Sequence, residues 1–300
     1  MIAVCIATYN HETYIGQAIE SVLAQVCDET VRIYIGDDAS TDNTQAVCER
    51  YAAEDERIIY IRRPQNVGLS SNTIALYRQI MADGCEYIAM LDGDDFWTDT
   101  HKLQLQVDYM RSHPETGFVH TGGRTLSGTK TWTFGQEEGV YGLQSPGFAN
   151  CTVLFRTKLL NDKLLDEIER QHFLWLDYPL YGDFYQHTKW AFLPQETAVW
   201  RDHESVSQPK TAEAILQNRE ERCRMWKWLE EQYPGKVGYS EKEAKDYLWA
   251  QRLNLIYQFD DLSLVTPELL NSYHPQSLKQ KIKQKGLKNS LFYTILRKFI

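Results

Sequence analysis

Four short β-rich runs, at residues 2–7, 31–36, 57–62 and 87–91, alternate with segments whose apolar residues recur at helical spacing. The first such segment keeps Ile15, Ala18, Ile19, Val22 and Leu23 on one face, and the second runs through Val47 and Tyr51 behind an N-cap among Ser40, Thr41 and Asp42. A third spaces Ile74, Tyr77 and Met81 for burial after a loop at 64–68. Strands alternating with helices predict an α/β fold with a mainly parallel central sheet and helices on both faces. Ligands of such sheets bind beyond the carboxyl ends of the strands. Thr8-Tyr9-Asn10, Asp37-Asp38 and Asp92 to Asp95 stand at those ends and should converge.

The second half is harder to read. A helix carries Leu103, Val107 and Met110, strands are predicted at 118–121, 151–155 and 196–200, and helices at 157–170 and 178–190. The Gly-, Thr- and Trp-rich stretch 122–149 shows no clear period. From about residue 209 the pattern is helical only, which predicts a first domain over 1–208, divisible into halves 1–115 and 116–208, and a helical C-terminal region over 209–300.

Three hundred residues suffice for one large domain with an appendage. No apolar stretch approaches the ~20 residues needed to span a bilayer, and the start lacks a signal-peptide pattern, so the chain is expected in the cytoplasm. Six scattered cysteines without metal spacing suggest buried free thiols. The net charge of -9 is uneven: residues 276–300 hold six Lys and one Arg and no acid, so this tail carries +7 and the remainder -9 minus 7, or -16. An acidic body argues against nucleic acid as a partner. The tail combines Lys279, Lys281, Lys283, Lys285 and Lys288 with later apolar residues, a pattern suited either to an anionic membrane interface or to docking on the acidic body.

Asp92, Asp94 and Asp95 crowd three carboxylates into one turn, each raising its neighbours' pKa unless a cation compensates. Hard oxygen ligands in a short turn suit Mg²⁺ or Mn²⁺ bridging to a diphosphate, while a single Asp would suffice to cap the next helix. Either of Asp37 and Asp38 could accept from a nucleobase or a ribose hydroxyl, or cap the following helix. The Tyr9 ring offers a stacking face or ordinary packing.

The stretches VCIATYNHETYIGQAIESVLAQ, YIGDDASTDNT, RPQNVGLSSN and YIAMLDGDDFWTDTHKLQLQVDYM resemble, in order and spacing, the nucleotide-binding half of family 2 glycosyltransferases. The resemblance implies a GT-A fold, a nucleotide-diphospho-sugar donor, a divalent metal, Mn²⁺ or Mg²⁺, and transfer with inversion at the anomeric carbon. It sets Thr8, Tyr9, Asn10, Asp38 and Asn66 around the nucleotide, with Tyr9 against the base and Asp38 on the pyrimidine of a UDP-sugar. Asp92 would face the ribose, Asp94 would hold the metal, and Asp95 would be a further ligand, a support or a cap. In the second half, LDYPLYGDF resembles the segment carrying the catalytic carboxylate, which selects Asp177 as general base with Asp183 in reserve. VWRDHESVS resembles a later segment that would bring Arg201 to phosphate and His203 to the metal, with Trp200 where the family has Tyr.

The expectation is therefore an inverting glycosyltransferase acting on a glycan or lipid-linked saccharide acceptor, peripheral to a membrane if the tail docks there. A sugar-phosphate nucleotidylyltransferase is the alternative, but it would need a Gly-rich basic loop after the first strand, and ATYNHETY has none. A non-catalytic nucleotide-sugar-binding protein would bind donor without turnover.

Overall fold

The computed structural model describes residues 1–132, 148–202, 210–271, 273, 275, 277–288 and 293. Contacts divide the chain into two compact units, Met1–Asp202 and His203–Ile300. The division falls beside residues 203–209, which lie outside the described residues together with the boundary expected at 208.

In the first unit, β1 (Ile2–Thr8) is followed by α1 (Ile15–Leu23), β2 (Val31–Asp37), α2 (Thr44–Glu54), β3 (Ile58–Arg62), α3 (Leu69–Ala82) and β4 (Tyr87–Asp92). All seven residues of β1 are buried, because β2 and β4 flank it in parallel and both sheet faces are covered. The predicted alternation therefore appears with boundaries moved by one or two residues.

Beyond β4 come β5 (Phe96–Trp97), α4 (Lys102–Ser112), β6 (Thr116–Thr125), β7 (Thr131–Trp132) and a short 3₁₀ turn at Asn150–Thr152. These are followed by β8 (Val153–Arg156), α5 (Asp162–Gln171), α6 (Asp177–His187) and β9 (Lys189–Trp200). The sheet runs β3-β2-β1-β4-β8-β6-β9-β5, with β7 on β6. It is parallel through β4 and mixed beyond, since β8 lies antiparallel between β4 and β6. Two expectations shift here: the helix foreseen to 190 ends at His187, and β9 begins at Lys189, pairing in parallel with β6 through two irregularities. The segment foreseen as one helix over 157–170 is a 3₁₀ turn at Thr157–Leu159 followed by α5, whose N-cap Asn161 accepts from the Leu164 N–H.

The described part of the second unit is helical: α7 (Ala212–Gln232), α8 (Glu241–Phe259), α9 (Pro267–Asn271) and α10 (Leu278–Leu287). Thr211, Ser240 and Ser277 cap three of these helices with their hydroxyls, the last within a capping box completed by Gln280. Its core gathers Leu216, Leu253, Ile256 and Leu269. On α10, Lys279, Lys281, Lys285 and Lys288 are exposed, whereas Lys283 is buried and donates to Asn254 Oδ1 at 3.1 Å. The basic face is thus one lysine narrower than expected, and most of 289–300 lies outside the described residues. Among the described residues, no helix is long and apolar enough to cross a membrane. All six cysteines are free, and all but Cys27 are buried.

Candidate active site

The loops after β1 and β2 are laced together. The Asn10 N–H donates to Ser40 Oγ at 2.9 Å and its Oδ1 accepts the Thr41 N–H at 2.8 Å. The His11 N–H donates to Thr44 Oγ1 at 2.8 Å, and the Glu12 carboxylate accepts the Asn43 N–H at 2.8 Å. Asn10 adopts φ 56°, a left-handed conformation that asparagine tolerates better than most residues. Of the three residues at the end of β1 expected at the nucleotide, Asn10 is thus a buckle between loops and Thr8 is buried against His11 Nδ1 at 3.2 Å. Tyr9 is left 42% exposed at the end of β1, free to present its ring.

The acid pair ending β2 is buried. Asp37 accepts the Ser40 N–H at 2.8 Å and the Tyr60 hydroxyl at 2.6 Å. Asp38 accepts the Val67 and Gly68 N–H groups, each at 2.8 Å, one on either oxygen. Both acids therefore act structurally, and Asp38 fixes the loop that displays the exposed Asn66. Whatever Asp38 gives a pyrimidine must come from lone pairs left over after these bonds.

The turn after β4 sorts its three carboxylates. Asp92 accepts from Asn150 Nδ2 on both oxygens, at 3.3 Å each. Its pKa is pushed up to about 7, first by desolvation and then by the charge of Asp94, with Asp177 adding a smaller rise and Asn150 opposing them. Asp94 stays partly exposed, with Oδ2 4.0 Å from His11 Nε2. Asp95 is buried, takes the Arg201 N–H at 2.8 Å and is supported by the Cys151 thiol. Burial and the charges of Asp94 and Asp92 hold its carboxyl well above the usual range. Of the two acids expected on a cation, Asp94 is the partly exposed one, whereas Asp95 is buried and tied through Oδ1 to the Arg201 N–H just past the end of β9. Asp95 does not cap α4 either; Asp99 accepts the His101 N–H ahead of that helix. A Cβ on Gly93 would stand 2.7 Å from Thr8 Oγ1 and 2.8 Å from His11 Nδ1, so glycine is needed for this close approach.

On the other side of the sheet centre, Asp177 opens α6, with Oδ1 accepting the Tyr178 N–H at 2.8 Å. Its charge adds a small rise to the pKa of Asp92. Asp183 is buried with His187 Nε2 at 3.8 Å, which withdraws the reserve candidate from the surface. The Arg201 guanidinium lies 4.9 Å from the ring centres of both Tyr14 and Phe96 and donates to Gln17, so it is held in an aromatic clamp. His203 lies outside the described residues. Among the described residues, no three His, Cys, Asp or Glu side chains form a ready cation cage.

Four residues of the site were not foreseen. His11 sits inside the quoted TYNHE stretch, and its position one residue past the left-handed Asn10 is the signal that could have marked it. Asn150 and Cys151 fall at the end of a stretch with no legible period. Lys102, fully buried under the Trp97 ring at 4.4 Å and bonded to Gln106 at 2.6 Å, has a pKa lowered to about 7 by desolvation, and nothing in its helix announces a buried lysine.

Known proteins bear on this arrangement in two ways. The uncharacterised protein Rv1520 of Mycobacterium tuberculosis is 40% identical over 111 residues, 36% of this chain and 31% of that one. The dTDP-rhamnosyl transferase RfbG of Shigella flexneri is 36% identical over 93 residues, 30% of this chain and 32% of that one. The chain therefore aligns with only about a third of these relatives' length. Among solved structures, S. aureus TarS 1-349 superposes with a TM-score of 0.58 at 17% identity, covering 99% of this chain and 84% of that one. The mannosyltransferase PcManGT from Pyrobaculum calidifontis, solved with GDP-Man and Mn²⁺, gives 0.57 at 14% identity, covering 99% and 87%. Both likenesses are of fold. The sequence model described as Glycosyl transferase family 2 matches residues 3–172, more than half of the chain, and the protein belongs to that family of glycosyltransferases.

Proposed function

We propose that this glycosyltransferase moves a sugar from a nucleotide-diphospho-sugar, a UDP-sugar in our reading, to a hydroxyl of a glycan or lipid-linked saccharide, with inversion at the anomeric carbon. The observation that carries the proposal is that α6, which Asp177 opens, is bonded to the acid turn at the end of β4, Tyr181 donating to Asn150 and Asn150 to Asp92. A base and a donor-side acid cluster are the two parts that a direct displacement needs at one place.

In this reading Tyr9 lies against the base, the loop held by Asp38 lines the nucleotide, and Asp92 faces the ribose. Asp177 takes the proton of the acceptor hydroxyl as that oxygen attacks the anomeric carbon. The bond from this carbon to the diphosphate breaks on the opposite face, and the electron pair leaves with the diphosphate. Arg201 approaches the diphosphate only if its clamp between Tyr14 and Phe96 opens.

A divalent cation, Mn²⁺ or Mg²⁺, suits the residues present. Asp92 and Asp94 set two carboxylates close enough that the charge of Asp94 helps raise Asp92 to about 7, a crowding of oxygen donors that a divalent cation would relieve. The partly exposed Asp94 is the residue that would hold the ion, with most of the shell left to water and diphosphate. When bound, the metal would neutralise charge developing on the leaving diphosphate. TarS has been solved in complex with UDP-GlcNAc and PcManGT with GDP-Man and Mn²⁺, which supports a nucleotide-sugar donor in a fold of this kind. The exposed lysines of α10 support docking at an anionic membrane.

A screen of nucleoside-diphosphate release over UDP- and GDP-sugars, with and without Mn²⁺, tests the reading. Release from one UDP-sugar, dependent on Mn²⁺ and on an added saccharide acceptor, is expected. Release of sugar 1-phosphate with formation of a nucleoside triphosphate, or no turnover of any donor, would contradict it.

A further inference from the structure

The Asn150 side chain touches both Asp92 and α6. Its Nδ2 spans both Asp92 oxygens at 3.3 Å, and its Oδ1 accepts the Tyr181 hydroxyl at 2.6 Å. The amide is set with its NH₂ end toward the Asp92 carboxyl and its oxygen toward the phenol, which donates to it. Tyr181 lies four residues after Asp177 on α6, hence on the same helix face one turn on.

Both ends of this link are anchored. Tyr181 is 1% exposed and its ring packs edge-on to Phe118, 5.0 Å between centroids, which aims the hydroxyl. Burial keeps that phenol protonated by pushing its pKa well above the ordinary value, so it remains a donor. The turn carrying Asn150 is tied down by Trp97 Nε1 donating to the Cys151 carbonyl at 2.8 Å and by Gln106 Nε2 donating to the Thr152 carbonyl at 2.9 Å. Neither Asn150 nor Tyr181 has a role in the displacement itself.

We propose that Asn150 and Tyr181 form a strut that fixes the helix bearing Asp177 against Asp92, so that the base and the donor-side acid are held as one unit. Both are positioning residues. The proposal rests on the reading of Asp177 and Asp92 given above and adds what sets their separation. Occupancy of the donor site is then felt along α6 through two hydrogen bonds, and loss of either bond frees the base by a displacement of the size that typically costs ~10²-fold in rate when it reaches ~1 Å.

The test uses the full chain and needs no known acceptor. Nucleotide affinity is measured by calorimetry with UDP, and with GDP in parallel, in the presence of Mn²⁺. Amide hydrogen exchange over 177–187 is followed with and without saturating nucleotide. In the wild type, nucleotide should slow exchange in α6. Tyr181→Phe, which removes only the hydroxyl, should abolish that protection while changing nucleotide affinity by no more than about threefold. Asn150→Ala should abolish it too and weaken affinity about tenfold, and the double variant should be no worse than Asn150→Ala alone, since both changes break one chain of bonds. A merely structural role would instead raise α6 exchange equally in free and bound states and make the two losses multiply. Protection unchanged in Tyr181→Phe, or absent in the wild type despite nucleotide binding, overturns the strut. Failure of the base assignment shows separately, as Asp177→Asn turning over a donor at the normal rate; binding of neither nucleotide would overturn both readings.

Discussion

At the carboxyl ends of β1, β2 and β4, the residues of the site sit in short loops bonded mainly to one another, and most of their polar atoms are spoken for. Asn10 and Asp38 spend their side chains on backbone amides of a neighbouring loop, and Asp37 spends its own on the Ser40 N–H of the loop it opens and on the Tyr60 hydroxyl. The β8–β9 side differs: it contributes single groups that reach across, Asn150 to Asp92, Cys151 and the Arg201 N–H to Asp95, and Asp177 on its helix. The first region is a preorganised cradle, and the second decides which carboxylates of the Asp92–Asp95 turn are engaged from outside it. That division explains how three adjacent acids can coexist: Asp92 is bridged by Asn150, Asp95 is buried as a tie, and Asp94 lies partly exposed beside His11.

The comparison can be broken most sharply at Asp177. Asp177→Asn should lower transfer about 10³-fold, within the usual range for a general base, while nucleotide affinity stays within about twofold, because the second region supplies chemistry and the first supplies binding. A parallel fall in both, read from steady-state turnover and calorimetry, would erase the distinction. Asp94→Ala comes next and should weaken Mn²⁺-dependent UDP affinity by about 100-fold, as loss of the carboxylate proposed to hold the ion. Equal affinity with and without Mn²⁺ in the wild type would remove Asp94 from that role.

Smaller effects test the cradle itself. Asp38→Asn leaves one backbone N–H facing an NH₂ group and should destabilise the first unit by about 1–3 kcal/mol in denaturant unfolding. No loss would mean that the 64–68 loop holds its shape without Asp38. A separate effect, read only as a pH dependence, is expected at Lys102, whose folded pKa of about 7 lies below the ordinary 10.5. Between these values the unfolded chain binds the extra proton, so stability should rise as pH increases from about 7 toward 10.5 and level off outside that window. Lys102→Met should flatten this rise without loss of stability at pH 7, since an apolar side chain of similar length replaces a buried cation.

Much of the first half was legible because β-branched runs bounded by turn residues, alternating with 3.6-period helices, allow few other folds. The acids at strand ends were legible for the same reason, since the fold directs strand ends to the binding crevice. Spacing alone could not tell Asp94 from Asp95: adjacent residues in a tight turn point different ways, and what meets each side chain comes from Cys151 and Arg201, far along the chain. The start of β9 was hidden because Pro194 interrupts the run KWAFLPQETAVW and because a helix period can be drawn through Tyr185 and Trp190. Asn150 escaped because a lone Asn at the end of an irregular stretch carries no pattern, and its importance lies wholly in what Asp92 and Tyr181 bring to it.

The central claim is that the donor diphosphate lies over the Asp92–Asp94 turn, with Asp177 facing it. Crystals grown with UDP and Mn²⁺, with diffraction collected at the manganese edge, test this directly. The account predicts an anomalous peak beside Asp94 that also touches the diphosphate, the uracil against Tyr9, and the Asp177 carboxylate across the open space from the phosphates. UDP bound with no manganese at Asp94, or with its diphosphate away from this turn, would contradict it.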